Sequence, residues 1–414
     1  MPIDVRDGRR RLPRWSELSP ILRPRPLLFD GDRRRSARAA TAGDFREIAR
    51  HRVPRAVYDY VAGAADGEQS MARSRAALDS VEFVPRVMRD VSAVDTSQTI
   101  LGRRSSIPVV FAPTGFTRMM HHEGEVAVSR AAGAAGVPYC LSTMGTTSLE
   151  QVADAIPGCR RWFQLYMWTD RERSRDLVHR AEANGYEALV LTVDTPVAGR
   201  RLRDVRNGMT IPPALGLRTF ADGARHPHWW FNLLTTPPLT FASLSDWRGT
   251  VAELADQLFD PTFNLDDLAW LRSEWRGKLV VKGVQSPDDA RLAADMGADA
   301  VVLSNHGGRQ LDRSTTPIEQ VADVVKAMSG RAEVYVDGGF MSGSDVVAAL
   351  CLGADAVLMG RAYLYGLMAA GETGVRRVTE LLADEIRRTM QLLGAASTKE
   401  LTPSSIRLRR SGDT

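Results

Sequence analysis

Lysine is nearly absent from this chain. Of 54 basic residues, only Lys278, Lys282, Lys326 and Lys399 are lysine. Arginine is the default cation, so an isolated arginine cluster carries little information and a lysine at a strand end stands out. Cysteine is also scarce. Cys140, Cys159 and Cys351 lie far apart and without ligand spacing, which argues against a disulfide framework or a zinc site and fits a reducing cytoplasm. No run of about 18 apolar residues occurs, so no transmembrane helix is expected. The N-terminus lacks the apolar core of a signal peptide. The net charge of +4 is mild for 414 residues. Nucleic-acid binding is not expected, because no aromatic residues interleave with the arginines in a recognisable module.

What is present falls into three stretches. Residues 1–40 are rich in Arg and Pro, with Arg9-Arg10-Arg11 and Arg33-Arg34-Arg35. They read as an extended arm that is solvated or wraps a neighbouring subunit, with contact to anionic lipid as the alternative. Residues 42 to 63 read as helical, capped at Thr41 and ending in Tyr58-Asp59-Tyr60-Val61-Ala62-Gly63. From residue 107 apolar runs alternate with amphipathic ones, the pattern of parallel strands with crossover helices. The spacing predicts strands over Val109–Gly115, Tyr139–Thr143, Trp162–Tyr166, Ala188–Asp194, Leu279–Gly283, Ala300–Asn305, Val334–Gly339 and Ala356–Gly360. Eight strand–helix units make a (β/α)8 TIM barrel, placed over residues 41–405 with 406–414 as a tail. One interval is too long for a crossover. Residues of about 200–264, with Ile211-Pro212-Pro213 and His226-Pro227-His228-Trp229-Trp230, read as a lid inserted after strand four. Proline between the two histidines and the lack of a nearby acidic cluster argue against a metal there. Residues 376–393 read as an amphipathic last helix.

The chemistry concentrates in Ser304-Asn305-His306-Gly307-Gly308-Arg309-Gln310-Leu311-Asp312. An apolar strand stops there in polar residues and two glycines, as strands do at the carboxyl-end cleft of a barrel. His306 can take a proton near neutral pH. Arg309 offers a planar fork for a carboxylate or phosphate. A base and an anion clamp on one turn suit proton abstraction from a small organic acid. The other strand ends carry Ala112-Pro113-Thr114-Gly115, Ser142-Thr143-Met144, Gln164-Leu165-Tyr166, Thr192-Val193-Asp194, Lys282-Gly283, Asp337-Gly338-Gly339 and Gly360-Arg361. The glycine turns after strands seven and eight, with Arg361, are the usual phosphate site of such a barrel. A phosphate site ringed by Ser, Thr and Gln points to a phosphorylated planar cofactor rather than a metal.

SNHGGRQLD, with APTG, FQLY, LTVDTP, VKG and DGG in that order, resembles the FMN-dependent α-hydroxy acid oxidase and dehydrogenase family. The likeness covers about residues 42 to 405. PTGFTR, FQLYMW and MSG look most like its quinone-linked L-lactate dehydrogenases of actinobacterial type. The resemblance implies that His306 removes the α-proton or the hydroxyl proton, and that Asp194 pairs with it. It implies that Arg309 binds the substrate carboxylate, helped by Tyr60, that Tyr166 hydrogen-bonds the substrate near its hydroxyl or carboxylate, and that Arg201 adds positive potential. Lys282 would face the flavin and stabilise its reduced, anionic ring. Ser142, Gln164 and Thr192 would hydrogen-bond the ring, with Pro113, Thr114 and Gly115 beside it; Gly339, Gly360 and Arg361 would hold the phosphate, and Asp337 and Gly338 would also contact the cofactor. The implied reaction is oxidation of an L-2-hydroxy acid, L-lactate first, with a quinone or another acceptor taking the electrons. An oxygen-using oxidase or monooxygenase is the nearest alternative. A larger substrate in natural-product or peptide-cofactor synthesis is the next, and a flavin-binding protein without turnover is the alternative from another class. A homotetramer is implied, in the cytoplasm or peripheral on the inner face of the plasma membrane.

Three positions depart from the family. Met341 and Ser342 stand where many members have two basic residues after DGG, which leaves Arg361 and backbone N–H groups for the phosphate. Gly115 stands where many have Ala, which opens space beside the flavin. Met144 replaces the Trp of glycolate oxidase-like members.

Overall fold

Eight runs of Val, Leu, Ala and aromatic residues are buried on both faces, as strands of a parallel sheet covered by helices must be. In the computed structural model they form β1 (Val109–Phe111), β2 (Tyr139–Ser142), β3 (Arg161–Leu165), β4 (Ala188–Thr192), β5 (Lys278–Val284), β6 (Ala300–Leu303), β7 (Glu333–Val336) and β8 (Ala356–Met359). The structure describes residues 12–19, 29–208, 222–244 and 259–409. Every strand pairs in parallel with its sequence neighbours, and β8 closes on β1 through Val357↔Val109, Leu358↔Val110 and Met359↔Phe111. The chain is a closed (β/α)8 barrel.

Alternate side chains fill the barrel, among them Val110, Cys140, Trp162, Val190, Val280, Val302, Tyr335 and Leu358. The hairpin of Gln98–Ile100 with Arg103–Ser105 brings Ile100 and Leu101 into this interior cluster. Trp162 stacks on Tyr335 at 6.1 Å between ring centres. The indole N–H donates to Glu187 at 2.7 Å, and Arg160 pairs with the same carboxylate at 2.8 Å. These polar groups at the strand starts are paired, as buried polar groups need to be.

Before the barrel stand α1 (Ala42–Arg50), α2 (Arg55–Ala62) and α3 (Gln69–Asp79). Thr41 caps α1 in a capping box with Asp44. The single helix expected over 42 to 63 is two, broken at Pro54, whose ring and missing N–H cannot continue a helix. The crossovers are α4 (Gly124–Ala135), α5 (Leu149–Ala155), α6 (Arg171–Ala183), then, beyond two lid helices α7 (Leu202–Arg206) and α8 (Pro227–Thr235), α9 (Leu265–Glu274), α10 (Pro287–Asp295), α11 (Pro317–Met328) and α12 (Gly343–Cys351). The last helix, α13 (Arg361–Leu393), begins fifteen residues earlier than the expected 376 and bends at Ala370 and Gly371. Its glycines permit close packing instead of ending it. A Cβ on Gly366 would stand 2.7 Å from the Gly374 carbonyl oxygen.

The arm is not extended throughout. Trp15–Leu18 and Gly31–Ser36 are helical, and Arg35 donates to the Ala369 carbonyl on α13 at 2.7 Å. Arg9-Arg10-Arg11 and Ile211-Pro212-Pro213 lie outside the described residues. Ile406–Leu408, assigned to the tail, pairs antiparallel with Val81–Phe83. The described part of the lid leans on the loops after β1 and β2. Trp229 Nε1 donates to the Met119 carbonyl at 2.7 Å, and Phe241 meets Phe116 edge-on at 4.6 Å.

Candidate active site at the strand ends

The strand ends surround a cavity of about 450 Å³. Tyr60, Pro113, Thr114, Gly115, Ser142, Gln164, Tyr166, Thr192, Arg201, Lys282, His306, Arg309, Asp337, Gly338, Gly339, Gly360 and Arg361 all line it. Among the residues singled out from the sequence, Asp194 alone is set behind the wall. Its carboxylate is 4% exposed and lies against His306 Nδ1 at 3.0 and 3.2 Å.

The turn after β6 presents the histidine by local backbone chemistry. His306 has φ 56°, a left-handed value uncommon for a side-chain-bearing residue. Its N–H donates to Ser304 Oγ at 2.9 Å, and the Asn305 side chain accepts from Gly308 N at 3.1 Å. Among the described residues His306 Nε2 has no hydrogen-bond partner, so the imidazole can accept a proton on that side. Burial alone would raise the Asp194 carboxyl. The charges of His306 and, less, Lys282 hold it below the usual carboxylate range, so it stays ionised.

Lys282, on β5, is buried and donates to Ser304 Oγ at 2.9 Å and to Asp337 at 3.1 Å. Burial would lower its ammonium, but Asp337 and Asp194 raise it above the ordinary lysine value. A permanent positive charge therefore sits in the cavity wall. Arg309 stacks on the Tyr60 ring at 4.9 Å and donates to the Gly63 carbonyl at 3.3 Å; Arg201 approaches the same ring at 5.6 Å. Burial, then repulsion from Arg201, pushes the Arg309 guanidinium down to about 10. It remains charged at neutral pH, and the two arginines converge on Tyr60 with Asp204 paired to Arg201 at 3.5 Å behind them. Burial, with Asp194 beside it, raises the Tyr166 hydroxyl, so it stays protonated and able to donate.

Arg361 is tied down by three carbonyls. Nε donates to Val61 at 2.9 Å, Nη1 to Gly307 at 2.9 Å and Nη2 to Gly63 at 2.8 Å. One N–H on each terminal nitrogen remains for a ligand. The backbone N–H groups of Met341 and Ser342 are themselves occupied, because both donate to Asp345 Oδ2, at 2.8 and 3.0 Å.

Sequence reasoning missed Gln310, Phe259, Arg46 and Arg75. Gln310 stands inside the SNHGGRQLD stretch and was the most findable. Its amide donates to the Asp194 and Val197 carbonyls at 3.2 and 2.9 Å and accepts from Gly199 N at 3.0 Å. It ties the start of the lid to the turn after β6. Phe259 meets Tyr166 edge-on at 5.3 Å. It comes from the far end of the lid, and nothing local in the sequence marks it.

The profile of the FMN-dependent dehydrogenases matches residues 49–408. The chain belongs to that family. A putative L-lactate dehydrogenase of Mycobacterium tuberculosis is 53% identical over 404 residues, covering 97% of this chain and 98% of the relative. A 4-hydroxymandelate oxidase of Amycolatopsis orientalis is 43% identical, covering 86% of this chain and 94% of the relative. The solved structure of the monotopic membrane protein (S)-mandelate dehydrogenase superposes with a TM-score of 0.86 at 39% identity, over 90% of this chain and 100% of that one. This FMN-dependent dehydrogenase is an α-hydroxy acid oxidoreductase, and FMN is its cofactor.

The cavity fits that cofactor. Gln164 Oε1 accepts from Ser142 Oγ at 3.1 Å and Thr143 N at 3.3 Å. This leaves the buried Gln164 Nε2 without a partner, a free donor for a ring carbonyl or nitrogen. Asp337 Oδ1 is likewise buried and unpartnered, an acceptor for the hydroxyls of a sugar-alcohol chain. Both are groups that a bound flavin mononucleotide would satisfy.

Proposed function

We propose that this enzyme oxidises L-lactate to pyruvate and passes the electrons to a quinone. One observation carries the reading. The His306–Asp194 pair and the Tyr60-stacked Arg309 face one cavity. Arg309 binds the substrate carboxylate as a fork, and Arg201 adds positive potential. Tyr60 and Tyr166 offer hydroxyls to the carboxylate and the substrate hydroxyl. His306 accepts a proton, from Cα or from the hydroxyl, as the C=O bond forms, and Asp194 stabilises the imidazolium. Bound FMN supplies the acceptor for the electron pair. Pro113, Thr114, Gly115, Ser142, Gln164 and Thr192 would hold the ring. Asp337 and Gly338 would hold the chain, and Gly339, Gly360 and Arg361 the phosphate. Lys282 would favour negative charge on a bound ring. Substitution His306→Ala tests the assignment. The protein should stay yellow while substrate no longer bleaches it; normal bleaching would remove His306 from the role of base.

Two relatives favour a second reading, an oxygen-using oxidase of an aromatic hydroxy acid. Gly115 itself is packed against Met144, where an added Cβ would stand 3.0 Å from Met144 Cβ, so this glycine serves a close approach and does not open space on that side. Relatives named for 4-hydroxymandelate and mandelate support the aromatic substrate.

The quinone reading places the enzyme against a membrane. No helix among the described residues is long and apolar enough to cross one. In α8, Phe231 and Leu234 are 68% and 76% exposed, which supports peripheral contact through the lid. A homotetramer remains part of the proposal.

A further inference from the structure

The phosphate end of the cavity lacks a cation where the turn after β7 carries Met341 and Ser342, and the backbone N–H groups of these two residues are spent on Asp345. Arg75, on α3, reaches the same end but is neutralised. Its nitrogens meet both Asp345 oxygens at 2.7 Å, Asp79 at 3.0 and 2.8 Å and the Gly339 carbonyl at 2.9 Å. Four of its five N–H groups donate to these acceptors, and the two carboxylates neutralise its charge. Arg46, on α1, is in the opposite condition. It lines the cavity with Arg361 and Tyr365. The Tyr58 hydroxyl accepts from its Nε at 3.2 Å, and Tyr58 is itself stacked on Tyr365. Among the described residues its terminal nitrogens have no hydrogen-bond partner, and no carboxylate lies within ion-pair distance. Arg361 has no carboxylate partner among them either. Arg46 is close enough for its charge to be felt at Arg361. Two arginines on one wall, neither neutralised, leave a place for a multiply charged anion.

We infer that Arg46 is a second phosphate-binding cation of this enzyme, supplied by the helix before the barrel in place of the basic residues missing at positions 341 and 342. Tyr58 fixes the guanidinium at the rim, and Arg361 holds the other side of the phosphate. The ligand it recognises is the monophosphate of FMN, as distinct from the uncharged riboflavin. The inference rests on FMN as the cofactor.

The test is rebinding of flavin to reversibly stripped holoenzyme, followed by quenching of flavin fluorescence. FMN and riboflavin are compared for the wild type, Arg46→Gln and the double variant Arg46→Gln/Met341→Arg. Arg46→Gln should weaken FMN by about tenfold or more, the size of a charge-assisted contact. It should leave riboflavin within about twofold, and Met341→Arg should recover part of the lost FMN affinity. The loss should shrink as salt is added. Equal weakening of both flavins would assign Arg46 to packing and overturn the inference. Unchanged FMN affinity would also overturn it. A wild-type protein that takes up neither flavin would remove the cofactor reading itself, and this inference with it.

Discussion

Gly283 and Asp194 touch so closely that no side chain fits between them. A Cβ at position 283 would stand 2.7 Å from Asp194 Cβ, and the residue holds φ 108°. The glycine after Lys282 thus sets how near the β5 end lies to the carboxylate that holds His306. Gly283→Ala should push Asp194 off His306 while leaving the flavin contacts on β2 and β3 in place. The expected result is FMN retained and its reduction by substrate slowed by about 10- to 100-fold, the scale of a small misplacement of a catalytic group. Stopped-flow reduction under nitrogen measures it; an unchanged rate would detach Asp194 from the chemistry.

Arg309 gives a pH signature. Its guanidinium loses charge through about 10 in the free enzyme, earlier than an ordinary arginine. The fork is fully present below that pH and is lost as pH rises through it. On the alkaline side kcat/KM should hold up to about 9 and then fall, approaching tenfold per pH unit beyond about 10. Arg309→Lys should raise KM at neutral pH, since an ammonium lacks the planar fork. A kcat/KM flat to about 11 would mean that the carboxylate is held elsewhere.

Much of this was legible in the sequence because buried parallel strands are continuous apolar runs, and barrel chemistry collects where those runs stop. His306, Arg309 and Lys282 were found that way. The readings overran the strand ends, by four residues at Gly115, because Ala112 and Pro113 continue the apolar run after the sheet bonding stops. Pro54 was passed over as a helix break. The glycines of α13 hid its first half, since Gly366 and Gly374 serve a close approach that only the folded chain reveals. Arg46 and Arg75 look alike in the sequence, each an arginine on an amphipathic helix. Packing makes one a neutralised clamp and leaves the other open to the cavity.

The barrel floor should report on stability apart from chemistry. Trp162 is fully buried, stacked on Tyr335 and bonded to Glu187. Trp162→Ala should cost about 3–5 kcal/mol through the cavity it leaves. Because Trp162 starts β3 far from the strand ends, the flavin spectrum and its rate of reduction should change little. Urea unfolding checks the first part and anaerobic reduction the second. Loss of flavin reduction at full stability would show that the floor and the site are coupled.

The most direct test of the central claim is anaerobic mixing of the yellow holoenzyme with L-lactate, followed by admission of air. The flavin should bleach rapidly and recover slowly in air, with pyruvate as the product and fast recovery when a soluble quinone is added. Rapid recovery in air alone would contradict the quinone acceptor and favour the oxidase. Failure of L-lactate to bleach the flavin, where an aromatic hydroxy acid does so, would contradict lactate as the substrate.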